Sequence, residues 1–204
     1  MKRENRGRLS ASRRKGVILM KKQDTKVVEL VFVGVLAAMV YVVTLFRFPL
    51  LGSKVHFANA VCLLGGMLLG PWLGGIAAGL GSALFDAFNG YDLLNVLITF
   101  VSKFAMDWVC GAIMHKTGKG QLRIDRTVLS AVAGALTYVA LYMLKTFIFG
   151  LIAGNGWAAV ISKFPASIIN AGAAVVAAPI FFHAVLPALK SSGALRYLKA
   201  EEKA

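Results

Sequence analysis

Five ionisable residues stand inside otherwise apolar stretches of the chain: Asp86, Lys103, Asp107, Lys145 and Lys163, with Glu29 at the edge of another such stretch. A charge held at bilayer depth costs at least about 2.5–3.5 kcal/mol on insertion scales, so intramembrane residues of this kind are functional candidates. Three amines and a carboxylate drawn from separate segments suit a polar pocket in which ammonium groups donate to an anionic or oxygen-rich ligand. Uncharged polar residues gather in the same regions: His56 and Asn59, Asn89, Tyr91 and Asn95, Thr99 one turn after Asn95, and Asn155 with Trp157. The expected substrate-binding set is therefore Lys103, Lys145, Lys163, Asn95, Asp86, Asn59, His56, Thr99 and Tyr91. The competing arrangement is internal: Asp86 pairs with Lys103, Asp107 finds a nearby polar group, and Lys145 and Lys163 snorkel outward. Neither Lys145 nor Lys163 has an obvious acid nearby to satisfy it, which favours the pocket.

Other chemistries lack their residues. No Gly-x-x-x-x-Gly-Lys-Ser/Thr loop occurs, and Thr117-Gly118-Lys119-Gly120 lacks both the spacing and the following hydroxyl, so any ATP drive must come from a partner. Gly-x-Ser-x-Gly, His-Glu-x-x-His and Cys-x-x-Cys are absent, and His56, His115 and His183 lie in three separate segments. No nucleophile–base set is visible, so the expectation is a binder without catalysis, cofactor or metal. Cys62 and Cys110 sit in apolar runs and read as small buried hydrophobes. Two matching halves with broken helices, common in secondary transporters, are not seen either.

The elements that hold these residues follow from composition. Of 204 residues, 58% are apolar before the 21 glycines are counted, and 16% are charged; soluble domains average about 45–50% and about 25%. Each membrane helix needs about 20 mostly apolar residues, so the chain has room for six spans and short loops. They read as 27–46, 55–69, 71–88, 93–114, 127–153 and 157–189. The stretch 55–85 contains no Asp, Glu, Lys or Arg, and Gly70-Pro71 near its middle favours a tight turn between two helices, since glycine ends a helix and proline suits the next first turn.

Charge gives the orientation. Ten of the 23 Lys and Arg fall between Lys2 and Lys26, and four more lie from Lys190 onward. Residues 1–26 read as a basic, disordered cytoplasmic arm, 27–189 as the membrane domain and 190–204 as a cytoplasmic tail. The arm has no interleaved aromatics and suits anionic headgroups rather than nucleic acid. Residues 20–26 remain polar, so no cleavable signal is evident; Met20 followed by two lysines resembles an ordinary start, which makes 1–19 either an over-long gene assignment or an extension. With six spans the basic loop 115–126 shares the side of both termini, as the positive-inside rule requires. The expected fold is an all-α six-helix bundle with both termini cytoplasmic. Lys103, ten residues into its span, then lies about 15 Å deep, while Asp86, Lys145 and Lys163 occupy the outer half. The loop 47–54, with its proline and glycine, is the longest outer connection and a plausible lid.

Small residues recur four apart at Gly34/Ala38, Gly66/Gly70, Gly75/Gly79, Ala131/Ala135 and Ala174/Ala178, which lets backbones approach closely. Those in later spans read as packing within the bundle. Gly34/Ala38, in the inner half of the first span, reads as a docking face for another membrane subunit.

Lys54-Val55-His56-Phe57-Ala58-Asn59-Ala60 through Leu68-Leu69-Gly70-Pro71-Trp72, then Gly79-Leu80-Gly81-Ser82-Ala83-Leu84-Phe85-Asp86-Ala87-Phe88-Asn89-Gly90, resembles the substrate-binding S component of energy-coupling factor transporters. The similarity covers about residues 27–190 and is best at 54–111; length, topology and the Leu-Leu-Gly-Pro turn agree. The resemblance implies a cell-membrane bundle that captures a vitamin outside and associates with a transmembrane coupling subunit and two cytoplasmic ATPases. It also implies docking through a small-x-x-x-small face on the first helix, matched here by Gly34 and Ala38, although Gly replaces the more usual first Ala. The segment is most similar to riboflavin-type members, which puts riboflavin or a related flavin first. The lysines pull toward an anionic ligand such as pantothenate, nicotinate, a folate or a phosphorylated flavin. The alternatives of another class are a solitary carrier or channel without ATPases, and a structural subunit without ligand.

Overall fold

The computed structural model describes residues 26–50, 53–55, 57–116 and 123–193. Helix α1 runs Lys26–Leu45, followed by strands β1 (Phe48–Leu50) and β2 (Ser53–Val55), then α2 (Ala58–Phe88), α3 (Leu93–His115), α4 (Ile124–Ile152) and α5 (Gly156–Ser191). All five helices are long and apolar enough to cross a membrane. Most of the expected basic arm, the stretch 117–122, the tail beyond 193 and His56 lie outside the described residues.

Besides α4, which starts at Ile124 rather than 127, and shifts of one or two residues at other helix ends, the first connection and the second span differ from the sequence reading. The loop 47–54 holds a short antiparallel ribbon, with Phe48 opposite Val55, Pro49 opposite Lys54 and Leu50 opposite Ser53. The second span starts at Ala58 rather than 55 because residues 53–55 are taken up as β2.

The run 58–88 is assigned to one helix, yet Gly70 inside it has φ 79° and ψ −178°. This is a region essentially reserved for glycine, and Pro71 directly after it supplies no N–H to bridge the break. Packing shows that the chain turns back there. Along α3, Lys103, Cys110 and His115 contact Asn59, Leu63 and Met67 in rising order, so α3 runs parallel to 58–69. Phe104 and Phe100 close over Gly75 and Gly79, and Gly111 meets Pro71, so α3 runs antiparallel to 71–88. A Cβ on Gly74 would fall 2.6 Å from the Gly66 Cα, whereas eight residues of continuous helix would hold these positions about 12 Å apart.

The first arm of this hairpin is buried at every position from Ala58 to Gly70, as expected for a helix apolar on all sides. Gly66, Gly75 and Gly79 meet α3 at backbone distance, and Ala131, Ala135, Ala174 and Ala178 are buried, so these pairs pack internally. Helix α1 turns Val33, Leu36, Ala37, Val40 and Thr44 inward. Its Gly34 and Ala38 are exposed, and nothing lies within 4 Å of where a Gly34 Cβ would stand.

Gly70→Ala should lower the apparent unfolding temperature of the detergent-purified protein by roughly 3–10 °C, the size expected for one strained residue in a chain of this length. Gly34→Ala, which meets open space, should change it by less than about 2 °C. Equal effects at the two positions would show that the reversal does not depend on the Gly70 conformation.

Candidate functional site

At one end of the bundle the helices enclose a cavity of about 1070 Å³ that opens to the surface, comparable to the upper end of small-molecule sites. Every helix contributes to it: Thr44 and Arg47 from and just after α1, Asn59, Ser82, Phe85 and Asp86 from α2, Asn95, Thr99 and Lys103 from α3, Tyr138, Tyr142, Lys145, Thr146 and Phe149 from α4, and Ser162, Lys163, Ser167 and Asn170 from α5. Tyr91 and Asn155, in the connections, complete the mouth. Eight of the nine expected residues therefore come together in one space; the ninth, His56, lies outside the described residues.

Lys103 forms the floor. It is 4% exposed, donates to Oδ1 of Asn59 and sits 3.8 Å from the centroid of the Tyr138 ring. The parallel packing of α3 on 58–69 sets this contact, by bringing position 103 level with position 59. An ammonium over an aromatic face is attracted by the ring quadrupole, most strongly where water is excluded. The expected Asp86–Lys103 pair is not formed, because Lys103 reaches the neighbouring arm of α2 instead. Asp107 also departs from expectation: it is fully buried, and no side chain among the described residues hydrogen-bonds its carboxylate.

The mouth is wetter. Lys163 is exposed and Asp86 half-buried; Lys145, also half-buried, lies 5.8 Å from the Phe149 ring centroid and has Asp86 and Lys163 as charged neighbours. Arg47 stacks 4.4 Å over Phe85 and donates to Oδ1 of Asn89 at 3.4 Å. Asn89, outside the lining, anchors its own amide on the Phe85 carbonyl. Asp92, before α3, caps that helix by accepting from the Asn95 backbone N–H at 2.8 Å. That bond holds its carboxyl below the usual carboxylate range. The Asn95 side-chain amide also donates to Asp92, which fixes its orientation at the rim.

The sequence reading missed the aromatic wall. Tyr138 and Tyr142 are stacked, with centroids 5.9 Å apart, and join Phe85 and Phe149 in the lining. Their signal was helical spacing: 138, 142, 145, 146 and 149 share one face of α4, as 159, 162, 163, 167 and 170 share one face of α5. Trp157 stands apart, packed on Phe147 at 5.0 Å. Arg47, expected only as part of a lid, is a wall residue. Among the described residues the arrangement offers flat aromatic surface, amides and hydroxyls, and four basic side chains against the single acid Asp86. It is equipped to hold a planar, oxygen-rich molecule, with no nucleophile–base geometry among the described lining residues.

The family described as ECF-type riboflavin transporter, S component, matches residues 24–186. No curated protein matches the chain. A solved structure described as "Structure and mechanism of the S component of a bacterial ECF transporter" superposes with a TM-score of 0.64 and 20% identity, covering 79% of this chain and 97% of that one. At that identity the likeness speaks for the fold alone. With four-fifths of the sequence matched, this chain belongs to the ECF-type riboflavin transporter S component family.

Proposed function

We propose that the chain captures riboflavin or a related flavin from outside the cell and delivers it, in the cell membrane, to a transmembrane coupling subunit driven by two cytoplasmic ATPases. The observation that carries this reading is the cavity itself, whose stacked Tyr138 and Tyr142 and deep Lys103 offer a flat surface beside hydrogen-bond donors. Family membership supports the ligand class. The proposed topology has six crossings, with the hairpin at Gly70 supplying two, and places the basic arm 1–26, the loop 115–126 and the tail 190–204 in the cytoplasm. That orientation puts the cavity on the outer side.

In this reading Lys103, Lys145, Lys163, Asn95, Asp86, Asn59, Thr99 and Tyr91, with His56 near the start of α2, bind the ligand. The loop 47–54 closes over it. The excess of basic groups favours a second ligand class, a phosphorylated flavin or an anionic vitamin such as pantothenate, nicotinate or a folate. The exposed Gly34 and Ala38 supply the docking face, because only small side chains there let a partner helix approach at backbone distance.

Purified protein should bind riboflavin 1:1 without ATP, seen as a yellow preparation or by quenching of flavin fluorescence. A colourless protein that binds none of riboflavin, riboflavin 5′-phosphate or the anionic vitamins would refute the reading. Uptake in a host lacking the coupling subunits should be negligible, whereas a solitary carrier would transport fully.

Replacing Lys103, Lys145 or Lys163 by Met keeps the apolar stem and removes bonds worth about 1.5–3 kcal/mol each. Affinity should fall roughly tenfold to a hundredfold for each lysine that touches ligand. Unchanged dissociation constants in all three folded variants would mean that these side chains snorkel.

Gly34→Leu or Ala38→Trp should abolish co-purification with the coupling subunit while leaving ligand affinity within about twofold, since neither position packs against the bundle. Parallel loss of both properties would place that face inside the fold.

A further inference from the structure

Asp107 lies one helical turn beyond Lys103 on the same face of α3. It is 0% exposed, no side chain among the described residues donates to its carboxylate, and its polar neighbour is the Gly66 backbone N–H. Glycine makes the space it occupies: a Cβ at Gly65 would come within 3.1 Å of Oδ2, and one at Gly66 within 2.7 Å of the Asp107 carbonyl oxygen. Lys103 has the complementary deficit. Its partners are a neutral amide, Asn59, and the neutral ring of Tyr138, so its hydrogen bonding is served but its charge is not.

Side chains four apart on a helix have Cβ atoms about 5–6 Å from one another, and at such range in a poorly polarisable interior opposite charges attract strongly. Asp86, the acid of the cavity wall, is half-buried at the outer end of α2 and its charge is correspondingly screened. We propose that Asp107 is the counter-charge of Lys103, set one turn beneath the cavity so that an ammonium stands at membrane depth. Asp107 is absent from the cavity lining and acts through Lys103 as a positioning residue. A carboxylate in contact with Nζ would occupy its donors; one set a turn back balances the charge and leaves those donors to Asn59 and the ligand. The consequence for recognition rests on the cavity being the flavin site, whereas the pairing does not.

The test compares ligand-free wild type with Asp107→Asn, Lys103→Met and the double variant in detergent. Breaking a buried pair leaves one charge uncompensated, so Asp107→Asn should lower the unfolding temperature by about 10 °C, and adding Lys103→Met should recover most of that loss. If Asp107→Asn yields no folded protein, the double variant should restore a monodisperse one. An Asp107→Asn protein as stable as wild type means that Asp107 is a neutral acid, and a double variant no better than Asp107→Asn means that it does not act through Lys103; either result overturns the proposal. Titration with riboflavin reports the consequence: Asp107→Asn should weaken binding roughly tenfold, and should add no loss when Lys103 is already Met. A wild type that binds no riboflavin would count against the flavin reading, while the unfolding comparison still decides the pairing.

Discussion

The approach of three helical segments at glycine is the contact on which the rest of the structure depends. Lipid gives helices little hydrophobic reason to associate, so a membrane bundle coheres through close packing and internal hydrogen bonds. Here 58–69, 71–88 and α3 meet where Gly66, Gly74, Gly75, Gly79 and Gly111 carry no Cβ, and a methyl group at any of them would strike backbone or ring atoms at or inside 2.9 Å. This contact makes the reversal at Gly70 possible. It also sets the register that places Lys103 opposite Asn59. Away from the cavity, Met67, Met106, Cys110 and Met114 are completely buried among the packed helices. At the cavity end tyrosines, phenylalanines and long basic side chains line the walls without meeting at the centre, and the cavity is what remains.

That hollow explains how the bundle tolerates its charges. An ammonium in hydrocarbon is costly, but one lining a wet opening or paired in the interior is much less so. The three cavity lysines form a gradient, from exposed Lys163 through half-buried Lys145 to Lys103 at 4% exposure. Water answers for the first and for part of the second. For the third the answer must come from protein: Asn59 and Tyr138 contact its ammonium, and Asp107 is its proposed counter-charge.

Depth made much of this legible in the sequence. Counting residues from each helix end put Lys103, Lys145, Lys163 and Asp86 at compatible levels, and any bundle that joins those levels brings them together. The Gly70-Pro71 pair was readable as a turn because both residues act through their own backbone. The aromatic wall was legible only through its helical spacing from Lys145: taken alone, Tyr138 or Phe149 in a membrane helix looks the same facing lipid or facing a cavity, and the packing of α4 on its neighbours decides. The Asp86–Lys103 expectation failed for a related reason, since the partner of a lysine at the floor depends on which arm of α2 runs parallel to α3. Nothing in the residue types of 48–55 distinguished a paired ribbon from an open loop, because Pro49 and Gly52 serve both.

Helix α1 joins the two halves of the proposed function. Its C-terminal end and the residues beyond it place Thr44 and Arg47 in the cavity wall, while Gly34, ten residues before Thr44 and so about 15 Å away along the axis, lies on an exposed face. Val33, Leu36, Val40 and Thr44 seal the inward side of the helix against the bundle, and the Ala37 carbonyl meets Gly81 so closely that no side chain fits between them. A helix held this tightly along one face moves as a unit. Under the proposed function, a ligand held at Arg47, just beyond this helix, and a partner docked at Gly34 would act on one rigid element, a physical route by which an occupied cavity and an empty one would present different surfaces to a coupling subunit.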